Sequence, residues 1–413
     1  MPGVGIDDFG ASFIKYRAGI IQTLNSTVKA RLIPKGDVKW EGVHLEKKVQ
    51  VRRNVAIGSP QDGGAIPSAG KATYVPAKVA RKFVVGSVKV TDGILANAAT
   101  TENAAITVNE SELQGLMDGL RKWENFMFGR DGTGIVGLLG ATTSGATITV
   151  TDARMMWEGA QFEIRDTAAP TTIHATFTVS KINRAFNSSG EAVITPTASV
   201  ASGSQAQGDY IVWLGNGGDA SYGNVPMGLD GMIDDAVTGT FQTVDVATYN
   251  RYTSPVLDNG GTLRPLKGSL FRQMAAAIKQ ESGDDVGECT VLGNHWEAIN
   301  TEEMYEGEIR LSEHSTVAGF KVARFQSTLG TFDVMTDPDM PYNKLYFIDA
   351  KQISRAVQKE LDWRPGTKGP FTAAQNSLNH TANCVEIVEF FIDQRNRCGK
   401  IEDLRETKAT AFG

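Results

Sequence analysis

Cysteine is scarce: Cys289, Cys384 and Cys398 are the only three in 413 residues. Three scattered thiols cannot build a disulfide framework, so a buried core has to hold the chain, and a reducing cytoplasm suits it. No run of about 18 apolar residues exists, so no membrane span is expected. The N-terminus, MPGVGIDDFG, lacks the basic start and apolar stretch of a signal peptide. The N-x-S/T triplets at Asn25, Asn187 and Asn379 therefore read as chance matches. An excess of positive charge is missing too. With 41 Lys/Arg against 47 Asp/Glu the formal net charge is −6, which excludes a chain that binds nucleic acid by its overall charge. What remains, 41% hydrophobic and 21% charged, is globular material for about two to three domains.

One stretch organises the rest. Residues 109–128, NESELQGLMDGLRKWENFMF, place Leu113, Leu116, Met117, Leu120, Trp123 and Met127 at three- and four-residue steps. That spacing predicts an amphipathic helix. Asn109 and Glu112 suit a capping box, and Gly129 suits a left-handed C-cap.

Ahead of it, residues 1–41 read as an arm, with apolar positions from Ile6 to Leu24 on one side of a helix broken near Gly10 and Gly19. Residues 42–91 alternate apolar and polar from Val43 to Val55, a strand pattern. The run Phe83–Val90 is expected to be the return strand, with the Gly/Pro-rich GSPQDGGAIPSAGKATYVP as a long tip between them. Nine Lys/Arg against Glu46 and Asp62 give this segment a formal +7 and leave −13 on the remainder. Such a polarity suits self-association by complementary charge; the plainer alternative is a solvated basic hairpin.

After the helix, GRDGTGIVGLLG contains the G-x-G-x-x-G spacing, but a helix precedes it and a β-rich segment follows. The dinucleotide fingerprint needs the reverse order, so a turn is expected. Residues 144–222 hold five β-type runs (TITV, QFEIRD, HATFTVSKIN, AVITPTASV and DYIVWLG), which predict a small barrel or sandwich. From Gly223 the patterns mix. A helix is expected over 265–280 and another over 295–304. Strands are expected at CTVLGN and around 332–334, 344–348, 353–357 and 382–392, before a polar tail from Lys400 that frays.

No chemistry stands out. Cys289 and His295 lack a third partner for a catalytic or metal site. Ser68-Ala69-Gly70-Lys71 fits S-x-x-K but lies in the flexible tip, and Asp284-Asp285 and Asp337-Pro338-Asp339 supply too few oxygens for a calcium loop. No catalytic residue, cofactor or metal is expected, and the chain does not read as an enzyme.

In order, the arm (1–41), the extended basic loop (42–95), the spine-like helix (109–128) and the mixed body ending in NCVEIVEFFIDQRNRCGKIEDL resemble the major capsid proteins of tailed bacteriophages. The resemblance implies an α+β, Hong Kong 97-like capsid fold. Its parts would be an N-terminal arm, an extended β-hairpin loop, a long spine helix, a mixed axial domain and an inserted small β domain. The implied division is a peripheral domain from 96–143 and 330–405, an inserted domain at 144–222, an axial domain at 223–329 (extending to about 375) and a tail at 406–413. It implies a structural subunit that forms hexamers and pentamers of an icosahedral shell, assembled in the host cytoplasm around double-stranded DNA contacted non-specifically. Partners would be further copies of itself, a separate scaffolding protein, a portal and a decoration protein. Encapsulin-like bacterial shells share the fold and are the alternative; a soluble enzyme is the more distant one. The loop would reach a neighbouring subunit. Arg52, Arg53, Arg81 and Lys82 are then expected near facing positions of the hairpin. With Lys71 and Lys78 they would meet acids of a neighbour's helix, Glu110, Glu112, Asp118 and Glu124, because the loop is too extended to reach its own body. By the same resemblance Lys71 and Lys78 are donors for a cross-link whose acceptor the sequence does not indicate.

Overall fold

The computed structural model describes residues 33–36, 39–91, 102–144, 146–183, 191–200, 205–215, 221–283, 288–294, 312–317, 320–327, 329–364, 371–373 and 379–405. The arm helix expected before Ile33 and the helix expected over 295–304 lie outside these residues.

β1 (Trp40–Glu41), β2 (His44–Arg52) and β3 (Thr73–Ala80) form a small antiparallel sheet. β4 (Lys82–Thr91) leads away to α1 (Glu102–Phe128). Six strands follow: β5 (Ile135–Ser144), β6 (Thr147–Val150), β7 (Gln161–Arg165), β8 (Ile173–Asn183), β9 (Ala192–Pro196) and β10 (Tyr210–Gly215). The single turn α2 (Leu229–Met232), the hairpin of β11 (Thr240–Phe241) with β12 (Val244–Asp245), and β13 (Val256–Leu257) lead to α3 (Gly268–Ser282). Then come β14 (Glu288–Gly293), β15 (Ser312–Val317), β16 (Phe320–Ser327), β17 (Gly330–Thr336) and β18 (Leu345–Ile348). β19 (Ile353–Trp363), β20 (Phe371–Ala373), β21 (Asn379–Ile392) and β22 (Gly399–Ile401) complete the chain.

α1 has 27 residues, about 40 Å at 1.5 Å each, and starts seven residues before Asn109. Asn109 is therefore inside the helix and caps nothing. The stretch ENAAITVN hides the true start because Ile106, Thr107 and Val108 are β-branched, which lowers helix propensity only slightly. Gly129 is not left-handed either. It is needed because Pro341 would lie 2.6 Å from any Cβ placed there.

The last turn of α1 is buried all round, and consecutive side chains enter different cores. Met117, Leu120 and Phe128 join the core under the sheet of β19, β21, β20 and β4. Phe126 and Met127 join the core of a closed barrel, ordered β10-β5-β6-β9-β8-β7. A helix turns about 100° per residue, so neighbours in sequence can serve two bodies at once.

In the barrel, alternation fills the interior along β6, β7 and β8 with Ile148 and Val150, Phe162 and Ile164, and Phe177 and Val179; Val136 and Leu139 of the irregular β5, and Ile211 of β10, join them. The barrel begins at Ile135, not at 144. β5 pairs with both β6 and β10, so the glycine-rich stretch expected to be a turn supplies the closing strand. Gly134, at φ +84°, makes the turn into β5; a Cβ there would sit 2.5 Å from the Ser221 carbonyl oxygen.

The body carries a seven-stranded sheet, β13-β22-β18-β14-β17-β16-β15, packed against α3 through Leu270, Phe271, Met274 and Ile278. α3 ends in the left-handed Gly283, whose N–H bonds the Lys279 carbonyl. The tail does not fray at Lys400: Lys400, Ile401 and Leu404 are buried.

The basic hairpin is built differently from expectation. β2 pairs with β3, Leu45 opposite Val79 and Val49 opposite Val75. The run from Lys82 instead pairs with β21, Val88 opposite Ala382. Pro76 inside β3 obscures that strand in the sequence; it is tolerated because β3 is an edge.

Candidate assembly interface

The base of the β2–β3 hairpin lies on its own body. Leu45, Val49 and Ala77 pack with Val244, Tyr252, Ala356 and Phe391. Lys47 Nζ reaches Asp393 Oδ2 at 2.6 Å. Arg53 donates to the Ser282 carbonyl at 2.7 Å, and the Arg52 guanidinium stacks over the Tyr249 ring at 5.4 Å. Lys78 Nζ pairs with Glu46 at 3.0 Å within the hairpin. Lys82 donates to the Gly223 carbonyl, and Arg81 lies over the Phe83 ring. The premise that the hairpin is too extended to reach its own subunit is thus overturned for its base. The four cations do not face one another across the hairpin: Arg52 lies opposite Thr73, and Arg81 and Lys82 lie beyond its strands.

The tip differs. From Arg53 to Ala72 the chain forms no strand. Its neck is pinned by Asn54, which donates to the Gly70 carbonyl at 2.9 Å and accepts from the Ala56 N–H at 2.9 Å. Beyond that neck Val55, Ile57 and Ile66 are 89%, 86% and 84% exposed, and Lys71 is exposed beside them. Three nearly bare aliphatic side chains on a pinned loop present a surface that water disfavours.

A second apolar strip lies on the outer face of β4. Phe83 and Val85 are 50% and 55% exposed, and register places them beside the half-buried Ile387 and Val385. α1 covers the opposite face, through Val84 and Val88. Strand alternation alone produces this division. In the sequence the cations stand out as a count, whereas these aliphatics show only as isolated Val and Ile in a Gly/Pro-rich loop.

Among the acids assigned to the helix, Asp118 is exposed on α1. Glu124 is only 8% exposed and lines a cavity of about 30 Å³ under α1 with Trp123, Arg355 and Glu386. Burial removes Glu124 from any surface that meets a neighbour. The side chains of Glu110 and Glu112 lie outside the described residues.

The cavity has room for a water or two, not for a metabolite. Among the described residues, no three His, Cys, Asp or Glu side chains are close enough to hold a metal ion. Burial pushes the thiols up, Cys289 well above its ordinary value, Cys384 to about 11 and Cys398 to about 12, so none is a ready nucleophile. His295 lies outside the described residues. In the turn at Asp337-Pro338-Asp339, burial and then the Asp337 charge push Asp339 up to about 6. No helix among the described residues is long and apolar enough to cross a membrane.

Residues 85–373 match the sequence model of the SU10 major capsid protein family. The chain belongs to that family. It is a structural subunit of a phage capsid shell. The capsid asymmetric unit of cyanophage A-1(L) has the same fold, with a TM-score of 0.51 at 12% identity over 93% of each chain. The capsid of a native GTA particle matches at 0.49, with 10% identity over 92% of this chain and 91% of that one. The holo-SrpI encapsulin complex from Synechococcus elongatus PCC 7942 matches at 0.41, with 7% identity over 92% and 87%. The last two likenesses are too loose to carry an argument. No curated protein matches the sequence. In this capsid subunit, the tip of the hairpin and the outer strip of β4 are among the exposed apolar surfaces of the described residues.

Proposed function

We propose that copies of this chain form the hexamers and pentamers of an icosahedral shell around packaged double-stranded DNA, with the β2–β3 hairpin as the extended loop that reaches a neighbouring subunit. The observation that carries this is the near-complete exposure of Val55, Ile57 and Ile66 on a loop whose base is fastened to its own body. A fixed base with a bare apolar tip suits a contact between subunits better than one within a subunit. Covering the three side chains would be worth about 1.5–3 kcal/mol each at most, repeated at every subunit.

The remaining divisions are part of the same reading. α1 with the sheet of β4, β19, β20 and β21 forms the peripheral domain, α3 with the seven-stranded sheet forms the axial domain, and the barrel is the insertion; this moves β17, β18 and β22 out of the 330–405 stretch expected to be peripheral, since they share one sheet with β14. A separate scaffolding protein, a portal and a decoration protein complete the assembly. The exposed Arg52, Arg53, Lys71 and Lys78 and the half-buried Arg81 and Lys82 supply charge at the neighbour's surface in addition to their contacts at home, with Asp118 among the acids that meet them. Each such exposed pair contributes only about 0.2–1 kcal/mol, so the apolar tip dominates the contact.

The test is a triple substitution, Val55→Ser, Ile57→Ser and Ile66→Ser, beside a charge reversal, Arg52→Glu with Arg53→Glu. Both variants should keep the circular dichroism of the folded subunit. The first should abolish shell formation, and the second should weaken it at low salt, where screening is slight. Normal shells from the triple variant would refute the reading.

A further inference from the structure

The β11–β12 hairpin turns through Gln242 and Thr243, and both have positive φ, +49° and +64°. A two-residue hairpin with both central residues left-handed wants Asn-Gly. Here it has Gln-Thr, and a β-branched residue in that region is a true outlier. Strain of this kind persists only where contacts hold it.

The contacts are specific. The Lys78 N–H of β3 donates to the Gln242 carbonyl at 2.8 Å and to Thr243 Oγ1 at 3.1 Å. Thr243 Oγ1 donates in turn to the Pro76 carbonyl at 3.4 Å. The Gln242 side-chain amide faces the Ile392 backbone; in the amide orientation that satisfies both groups, its nitrogen lies 3.2 Å from the carbonyl oxygen and its oxygen 3.3 Å from the backbone nitrogen. Val244, next in the chain, is buried against Leu45, Val49 and Ala77 of the basic hairpin. One strained turn therefore joins the outer edge of β3 to the end of β21.

We propose that the Phe241–Val244 turn is a strained latch. It holds the base of the β2–β3 hairpin on its own subunit and, because its backbone opposes that hold, lets the hairpin lift as a unit. The role of the lifted hairpin rests on the reading of that hairpin as the loop that reaches a neighbour. A relaxed Asn-Gly turn would lock the base; Gln-Thr keeps it releasable.

The experiment compares Thr243→Gly with Thr243→Ala in the full, unassembled chain by native-state hydrogen exchange. Both variants lose the hydroxyl and keep the Lys78 bond to the Gln242 carbonyl, so they differ in backbone freedom at one left-handed position. Amides of residues 44–52 and 73–80 should exchange about 10-fold more slowly in the glycine variant than in the alanine variant, since a non-glycine residue there is disfavoured. Amides of the barrel should not differ. Equal rates, slower exchange in the alanine variant, or a uniform change across all amides would overturn the latch. If the alanine variant does not fold, Thr243→Asn replaces it and should also exchange faster than glycine. Because no assembly is involved, the result stands apart from that of the tip substitutions.

Discussion

Arg154 holds Asp152 at two points, Nε to Oδ1 at 3.0 Å and Nη2 to Oδ2 at 2.7 Å. Its remaining nitrogen donates to the Pro338 and Met340 carbonyls, each at 2.7 Å, and its guanidinium lies 3.8 Å from the centre of the Tyr342 ring. Arg130 reaches the same carboxylate at 2.5 Å from just past the end of α1. A single buried cluster therefore ties the barrel, the helix end and the body together.

Burial alone would raise the Asp152 carboxyl, but the Arg154 and Arg130 guanidiniums outweigh it and hold it at about 2. A carboxyl depressed in the folded state stabilises above its unfolded value, near 3.8, and loses that contribution as pH falls through about 2. Acid denaturation should therefore lose roughly 2 kcal/mol from this group over that window. Arg154→Met should cost about 2–4 kcal/mol at pH 7, because Asp152 keeps only part of its compensation. Urea unfolding of the variant at pH 7 and pH 3 checks both; a cost that is the same at both pH values contradicts the assignment.

Glu389 behaves in the opposite sense. It is buried and accepts from the Met227 N–H at 2.7 Å and the Phe390 N–H at 2.9 Å. Burial pushes it up to about 7, against those two donors and the Lys82 charge. A carboxyl raised in the folded state contributes fully below its unfolded value, near 4.5, and loses that contribution as pH rises through about 7. Glu389→Gln, always neutral, should leave stability unchanged at pH 4 and raise it by roughly 3 kcal/mol at pH 8.5. Equal destabilisation at both values, by chemical denaturation, would show that the carboxyl is needed for its shape rather than penalised for its charge.

The barrel sets its own boundary. Residues 144–222 alone lack β5, which leaves β6 and β10 with open edges and removes Val136 and Leu139 from the core. That fragment should aggregate or stay unfolded. Residues 121–226, which restore β5 and the helix end carrying Phe126 and Met127, should show one cooperative, β-rich thermal transition. Cooperative folding of the shorter fragment would show that β5 is dispensable.

Local patterns are legible in the sequence, and partners far along the chain are not. Alternation from His44 to Val51 and the five β runs after 144 are visible without coordinates, because pleat and burial impose a period of two on a half-buried strand. The pairing of Val88 with Ala382 is not, since nothing local in Phe83–Val90 says which of several apolar strands it will meet. Pro76 breaks the usual strand composition and hides β3, and the glycines of β5 imitate a turn. At the interface the cations were legible as a count. Burial of Glu124 was not, as the face of α1 it occupies is covered from two sides only where the barrel and the body converge.

The most direct test of the shell assignment is negative-stain electron microscopy, with light scattering, of the purified 44.4 kDa chain expressed with and without the scaffolding protein proposed for it. The account predicts closed particles of uniform size built from rings of five and six subunits. Monomers alone under both conditions would contradict it.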